Sequence, residues 1–152
     1  MIAPSDLVDT VSVIIPCHNA AAFVGEAIES VLAQEWLHTE VIVVDDASTD
    51  ESWDVIQRYG PCIQALRLAE NGGAAHARNR GVALSRGRWL LFLDADDRIS
   101  PNALMWLAET AQRSPGALVH CGWRYLVREE GAWVPRAPVR HQPTGDPLRD
   151  WL

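Results

Sequence analysis

The sequence predicts an α/β fold, a three-layer sandwich built on a mostly parallel central sheet. Three observations carry this. Strand and helix signals alternate, β-α-β-α-β-α-β-α, between Val11 and Ala111, the order of a sheet with crossover helices. The strand segments are near-continuous apolar runs, as expected of a sheet covered on both faces. Acidic clusters then follow two of the strands, at the edge where such sheets bind ligands.

Val11-Ser12-Val13-Ile14-Ile15 is a β-branched run stopped by Pro16, a buried strand with a firm end. From Ala20 the period becomes helical: Phe23, Ala27, Ile28, Val31 and Leu32 share one face, with Glu26 and Glu29 off it. A second strand, Val41-Ile42-Val43-Val44, runs into Asp45-Asp46. Ser48 and Glu51 have capping-box spacing and predict a helix to about Tyr59, stopped by Gly60-Pro61. Residues 63–68 read as a third strand, and Asn71-Gly72-Gly73 turns the chain into an Ala-rich helix from Ala74 to about Ser85. Residues 89–93 are the fourth strand, leading into Asp94-Ala95-Asp96-Asp97. Ser100-Pro101 predicts a helix start, a capping hydroxyl followed by Pro at the first helical position, with Leu104, Leu107, Ala108 and Ala111 as the core face.

After Gly116 the pattern weakens. Residues 117–121 and 123–127 are candidate strands, residues 131–134 the candidate return of a hairpin, and residues 135–147 a Pro-rich stretch without periodicity. Residues 147–152 begin a helix signal with no room to continue. No boundary is visible, so residues 1–152 read as a single domain, C-terminally incomplete.

Composition narrows the function. The 152 residues are 48% hydrophobic and 22% charged, ordinary for one globular domain. A net charge of −7 opposes a nucleic-acid surface. No apolar run reaches the ~18–20 residues that span a bilayer. The acidic N-terminus, with Asp6 and Asp9, lacks the basic region of a signal peptide. The three scattered cysteines fit neither a disulfide framework nor a zinc site, and point to a reducing cytoplasm. All thirteen basic residues are Arg. Without Lys, a P-loop and a Schiff-base enzyme are excluded, and a phosphotransfer domain with an acidic pocket is disfavoured.

In a parallel sheet the carboxyl ends of the strands lie along one edge. Three loops converge there: Pro16 to Asn19, Asp45-Asp46, and Asp94, Asp96 and Asp97. Crowded carboxylates repel unless a cation sits among them. With no Lys, the candidates are Arg or a divalent metal, and oxygen-only donors suit Mg²⁺ or Mn²⁺ shared with substrate phosphates. A lone Asp-x-Asp is more often a solvated loop, but its place after a buried strand beside a second acidic cluster favours a metal. The Gly72-Gly73 turn has two readings, a backbone approach to phosphate at a helix N-terminus or a tight strand-to-helix turn. Arg78, Arg80 and Arg86 are candidates to reach a diphosphate, and His18 either stacks on a base or packs in its loop. Trp36 and Trp133 are core residues or exposed contacts for a partner.

These residues in order resemble the family 2 glycosyltransferases, which share the GT-A fold. Val13 to Asn19 resembles the family's opening strand and turn, and Glu29 to Gln34 the end of its first helix. Residues 40–50, EVIVVDDASTD, Asn71-Gly72-Gly73 with Ala77 to Gly81, and Phe92 to Asp97 complete the match, which covers residues 11–107. The resemblance implies a nucleotide-diphospho-sugar donor and transfer to a saccharide or lipid-linked acceptor. Pro16, His18, Asn19 and Asp46 would lie against the nucleoside, Asp46 accepting from the base, with Gly73 and Arg78 toward the diphosphate. Asp94 would approach the ribose or sugar, and Asp96, with Asp94, would bind the metal. It also implies a single inverting displacement assisted by Mg²⁺ or Mn²⁺.

His18 stands where the family has Tyr or Phe, which leaves the base open. The family's general base lies in a later segment, and neither Glu109, Glu129, Glu130, Asp146 nor Asp150 sits in such a motif. The catalytic base is therefore expected to be missing, with residues 117–152 beginning the acceptor side. Two readings remain: a transferase acting whole or completed by a partner chain, with peripheral membrane association open, or a catalytically incomplete module that binds nucleotide sugar.

Overall fold

The computed structural model describes residues 10–35, 38–122, 124–129 and 132–136. Four strands form one parallel sheet: β1 (Val11–Cys17), β2 (Thr39–Asp45), β3 (Gln64–Arg67) and β4 (Trp89–Phe92). Their spatial order is β3-β2-β1-β4. The helices are α1 (Val24–Leu32), α2 (Ser52–Gln57), α3 (Ala74–Leu84) and α4 (Ala103–Arg113), with a 3₁₀ turn at Gly60–Cys62. Contacts divide the chain at Leu118, and the described residues beyond it include an antiparallel hairpin of β5 (Tyr125–Glu129) and β6 (Ala132–Arg136).

Every residue of β1 is buried, as a central strand without polar alternation requires. Successive side chains serve opposite faces. Val13, Ile15 and Cys17, with Val41 and Val43 of β2, pack with Val24, Ala27, Ile28 and Val31 of α1, Ile56 of α2, and Leu104 and Ala108 of α4. Ile14, Ile42 and Val44 pack on the other face with Ala77 of α3. The three predicted layers are thus present. Gly81 of α3 lies so close to the sheet that a Cβ there would strike the Ile14 side chain. Truncating Ile14 to Ala would cost about 2–5 kcal/mol at a site this tightly enclosed.

Several local expectations change. Ser48 does not cap α2: its hydroxyl accepts from the Asn19 N–H at 3.0 Å, while Asp50 Oδ1 takes the Ser52 N–H at 2.9 Å. A tertiary donor has displaced the local capping box. The last helix starts at Ala103, not at Pro101, with Asn102 in the left-handed region at φ 63° and no cap from its own side chain. On α1 the buried face contains Val24, whereas Phe23 and Leu32 are 43% and 42% exposed. Residues 117–121 form no strand, and Leu118 is exposed. The first strand of the hairpin begins at Tyr125. Trp36, Trp123, Glu130, His141, Asp146 and Asp150 lie outside the described residues, as does the side chain of Trp133.

Candidate donor site

The strand order makes β2, β1 and β4 consecutive neighbours, so the loops leaving their carboxyl ends emerge side by side. Pro16 is buried within β1, paired in register with Val44. Beyond it the chain turns at Asn19, whose φ of 50° suits an Asn. Asn19 Oδ1 accepts from the Thr49 N–H at 2.8 Å and the Thr49 hydroxyl at 3.2 Å. The hydroxyl of Ser52 accepts from Ala20 N–H at 2.8 Å, and Asp50 Oδ2 from Ala21 N–H at 3.1 Å. The loop after β1 is thereby fastened to the start of α2.

His18 lies between two loops. Its Nδ1 is 2.8 Å from the Asp46 carbonyl, which can only accept, so Nδ1 carries the proton. Nε2 accepts from the Asn19 side-chain amide at 3.1 Å, and the Asn71 amide nitrogen lies against the ring, 3.1 Å from Nε2 and 3.2 Å from Nδ1. Asn71 was visible in the sequence only as the start of the Asn71-Gly72-Gly73 turn and of the matching segment, with no role of its own.

Asp46 is buried, and its carboxylate spans the turn before α3. Oδ1 accepts from the Gly72 N–H at 3.0 Å and Oδ2 from the Gly73 N–H at 2.7 Å. Gly73 sits at φ 85°, a conformation that a side chain would strain. Both N–H groups already have an anionic acceptor, so the geometry carries the tight-turn reading of this segment rather than a direct backbone cradle for phosphate.

The acidic turn follows β4. The Asp97 N–H donates to the Asp94 carbonyl at 3.0 Å, and buried Leu93 and Ala95 anchor the backbone on the core. The side chains of Asp94, Asp96 and Asp97 stay at the surface. Arg78 from α3 reaches Asp94, with Nη2 at 2.6 Å from Oδ1. Burial, then the charges of Asp96 and Asp94, push the Asp97 carboxyl above the ordinary aspartate range. Such crowding of exposed oxygen donors is what a divalent cation relieves, and the donor set suits Mg²⁺ or Mn²⁺. Among the described residues no group of three or more His, Cys, Asp or Glu side chains is placed to enclose an ion, so water and ligand oxygens would have to complete the shell.

The other candidates separate. Arg80 is exposed on α3. Arg86 lies at the opposite edge: it bonds Glu40, the second residue of β2, at 3.0 Å, and cannot serve a ligand at the carboxyl ends. Asp45 faces the α1–α2 layer beside Cys17 and is fully buried. Arg67 Nε lies 3.2 Å from Asp45 Oδ2 without hydrogen-bond alignment, and neither Asp45 oxygen has a hydrogen-bond partner among the described residues. Arg67 also donates to the Ser48 carbonyl at 3.0 Å and borders an open cleft of about 450 Å³ with Ala47, Ser48, Leu68 and Ala69. Burial, together with the nearby Asp45 charge and against a hydrogen bond from Ser52, raises the Cys17 thiol to about 11. No helix among the described residues is long and apolar enough to cross a membrane.

Comparison with known proteins gives the family and the fold. Residues 12–150 match the family described as Glycosyl transferase family 2. The putative teichuronic acid biosynthesis glycosyltransferase TuaG of Bacillus subtilis is 44% identical over 122 residues, 78% of this chain and 48% of that protein. The crystal structure of S. aureus TarS 1-349 in complex with UDP-GlcNAc aligns with TM-score 0.64 and 30% identity, over 68% of this chain and 31% of that one. The mannosyltransferase PcManGT from Pyrobaculum calidifontis, in complex with GDP-Man and Mn²⁺, aligns with TM-score 0.58 and 26% identity, over 65% and 33% of the two chains. This chain thus spans about half the curated relative, or less. With its GT-A fold, it belongs to glycosyl transferase family 2.

Proposed function

We propose that this chain supplies the donor-binding part of an inverting glycosyltransferase, with residues 11–107 as the nucleotide-sugar core and residues 117–152 beginning the acceptor side. The observation that supports it best is the adjacency of β2, β1 and β4, which gathers His18, Asn19, Asp46, Arg78, Asp94 and Asp96 at one edge. The UDP-GlcNAc and GDP-Man complexes of its structural neighbours support a nucleotide-diphospho-sugar as ligand.

On this reading Pro16, His18 and Asn19 form the nucleoside wall, and the imidazole plane offers a stacking surface. Asp46 and Gly73 act together: the carboxylate holds the turn that sets where α3 begins, and α3 in turn carries Arg78. Asp94 and Asp96 would hold the Mg²⁺ or Mn²⁺. When bound, that ion stabilises the negative charge of the departing diphosphate. Arg78, always cationic, balances Asp94 and adds positive charge where the leaving group develops its own.

The reaction is a single displacement. A bond forms from an acceptor hydroxyl to the anomeric carbon as the bond to the diphosphate breaks, and the hydroxyl proton passes to a general base. None of the acidic residues after Asp97 is assigned that role. Glu109 is engaged with Arg113 on α4 at 3.4 Å, Glu129 lies in β5, and the others are outside the described residues. On this reading the chain supplies donor binding, and no residue is given the base's role. Relatives named for teichuronic acid and succinoglycan synthesis support a saccharide or lipid-linked acceptor in cell-envelope polysaccharide synthesis.

Replacing Asp96 with Ala tests the assignment. Metal-dependent nucleotide binding should disappear while the circular-dichroism spectrum is unchanged, because an exposed loop carboxylate contributes little to the core. Unchanged metal-dependent affinity would refute the site.

A further inference from the structure

We infer that α1 is the strut that positions the acidic turn, and that Ser30 and Gln34 are positioning residues for metal-dependent donor binding at Asp94 and Asp96. The inference rests on the donor-site reading above and assigns those residues a role that reading does not contain.

Glu26 and Ser30 lie one turn apart on one side of α1, and Gln34, a further four residues on, lies just past the helix end at Ala33. Each grips the segment that follows the acidic turn. Glu26 Oε2 lies 3.0 Å from Arg98 Nη1. Ser30 Oγ accepts from the Ile99 N–H at 3.2 Å and donates to the Ala27 carbonyl at 2.8 Å. Gln34 uses both ends of its amide: Nε2 donates to the Ser100 carbonyl at 3.0 Å, and Oε1 accepts from the Leu104 N–H at 3.2 Å. The same Nε2 donates to the Ser30 carbonyl at 2.9 Å, which orients the amide from the last turn of α1.

The Leu104 contact matters because α4 has no side-chain cap of its own. Gln34 therefore satisfies, from the chain just beyond α1, one of the N–H groups that a helix start leaves without a partner. The chain after Asp97 is held at residues 98, 99, 100 and 104, and Arg78 holds Asp94 before them. The other end of α1 leaves the loop carrying His18 and Asn19. One helix thus spans from the nucleoside wall to the acidic turn. A change at Ser30 or Gln34 would shift Asp94 and Asp96 while leaving the nucleoside wall in place.

The test is calorimetric titration of UDP-GlcNAc and GDP-Man into the whole 152-residue chain, with Mn²⁺ and with chelator, for wild type, Ser30→Ala, Gln34→Ala and Ser30→Thr. The expected result is about a tenfold loss of Mn²⁺-dependent affinity in both Ala variants, unchanged affinity in chelator, and retention of the wild-type values by Ser30→Thr, which keeps the hydroxyl. Amide hydrogen exchange, which needs no ligand, should speed up at Ile99 in Ser30→Ala and at Leu104 in Gln34→Ala, with the strands of the central sheet unchanged. If wild type shows an Mn²⁺-dependent gain that both Ala variants keep, the inference is overturned and the donor site stands. An equal loss with metal and with chelator also overturns it, since that is a general structural effect. A wild-type chain with no Mn²⁺-dependent gain overturns the donor-site reading and this inference with it.

Discussion

Arg78 Nη2 lies 2.6 Å from Asp94 Oδ1, so the first carboxylate of the acidic turn already has a permanent cation beside it. Both side chains are substantially exposed, and a pair of that kind contributes about 0–1 kcal/mol to folding. On the proposed donor-site reading, its value is to a ligand. Arg78→Ala is expected to move the melting temperature little and to weaken nucleotide-diphosphate binding about tenfold, read by titration calorimetry. A large loss of stability with unchanged binding would assign Arg78 to the scaffold instead.

Asp46 is expected to behave in the opposite way. It is buried and accepts from two backbone N–H groups at the turn into α3. Asp46→Asn places an amide donor against one of those donors, so unfolding free energy should fall by about 2 kcal/mol in urea denaturation. Wild-type stability in this variant would mean that the turn does not depend on the carboxylate.

At the far edge of the sheet, Glu40 accepts from the Ser12 hydroxyl at 2.7 Å and from the Arg86 N–H at 2.9 Å. Burial pushes its carboxyl up, but the bonds from Ser12 and Arg86 and the Arg86 charge together outweigh burial and leave it below the usual 4.5. A carboxyl lowered on folding contributes stability that is fully present above its unfolded value and is lost as pH falls through the folded one. Glu40→Gln should therefore lower stability by about 1 kcal/mol at pH 7, with the difference from wild type closing as pH falls below 4.5 and through the lowered folded value. A difference that persists at the acid end would point to packing instead of charge.

The three cysteines are free, and only Cys17 is buried, with its thiol raised to about 11. In the folded chain a thiol reagent at neutral pH should modify Cys62 and Cys121 and spare Cys17, because the thiolate is the reactive form. Denaturant should expose the third. Rapid native labelling of Cys17, located by mass spectrometry, would mean that the end of β1 opens readily.

Much of this was legible in the chain because it depends on pattern. The apolar runs at Val11 and Val41 specify strands buried on both faces, whereas the run at Trp89, expected to be buried, forms β4 with Leu90 and Phe92 exposed. The parallel sheet places Asp46 and Asp94 at one edge. What local spacing misses is any hydrogen bond whose partner is distant. Ser48 has capping spacing, yet Asn19 takes its hydroxyl from 29 residues away. Ser100-Pro101 has the chemistry of a helix start, yet Gln34, 70 residues from Leu104, supplies the cap. Arg86 looked available to a diphosphate until its partner proved to be Glu40, at the opposite end of β2. Asn71 had no visible role before the fold brought it to His18.

The central claim is that this chain holds a metal-dependent nucleotide-sugar site. Calorimetric titration of UDP, GDP and their sugar conjugates, in Mn²⁺ and in chelator, tests it most directly. Saturable binding of one nucleotide class, stronger in Mn²⁺ and lost in Asp96→Ala, is the expected result. Absence of binding by a chain that circular dichroism shows to be folded would contradict it.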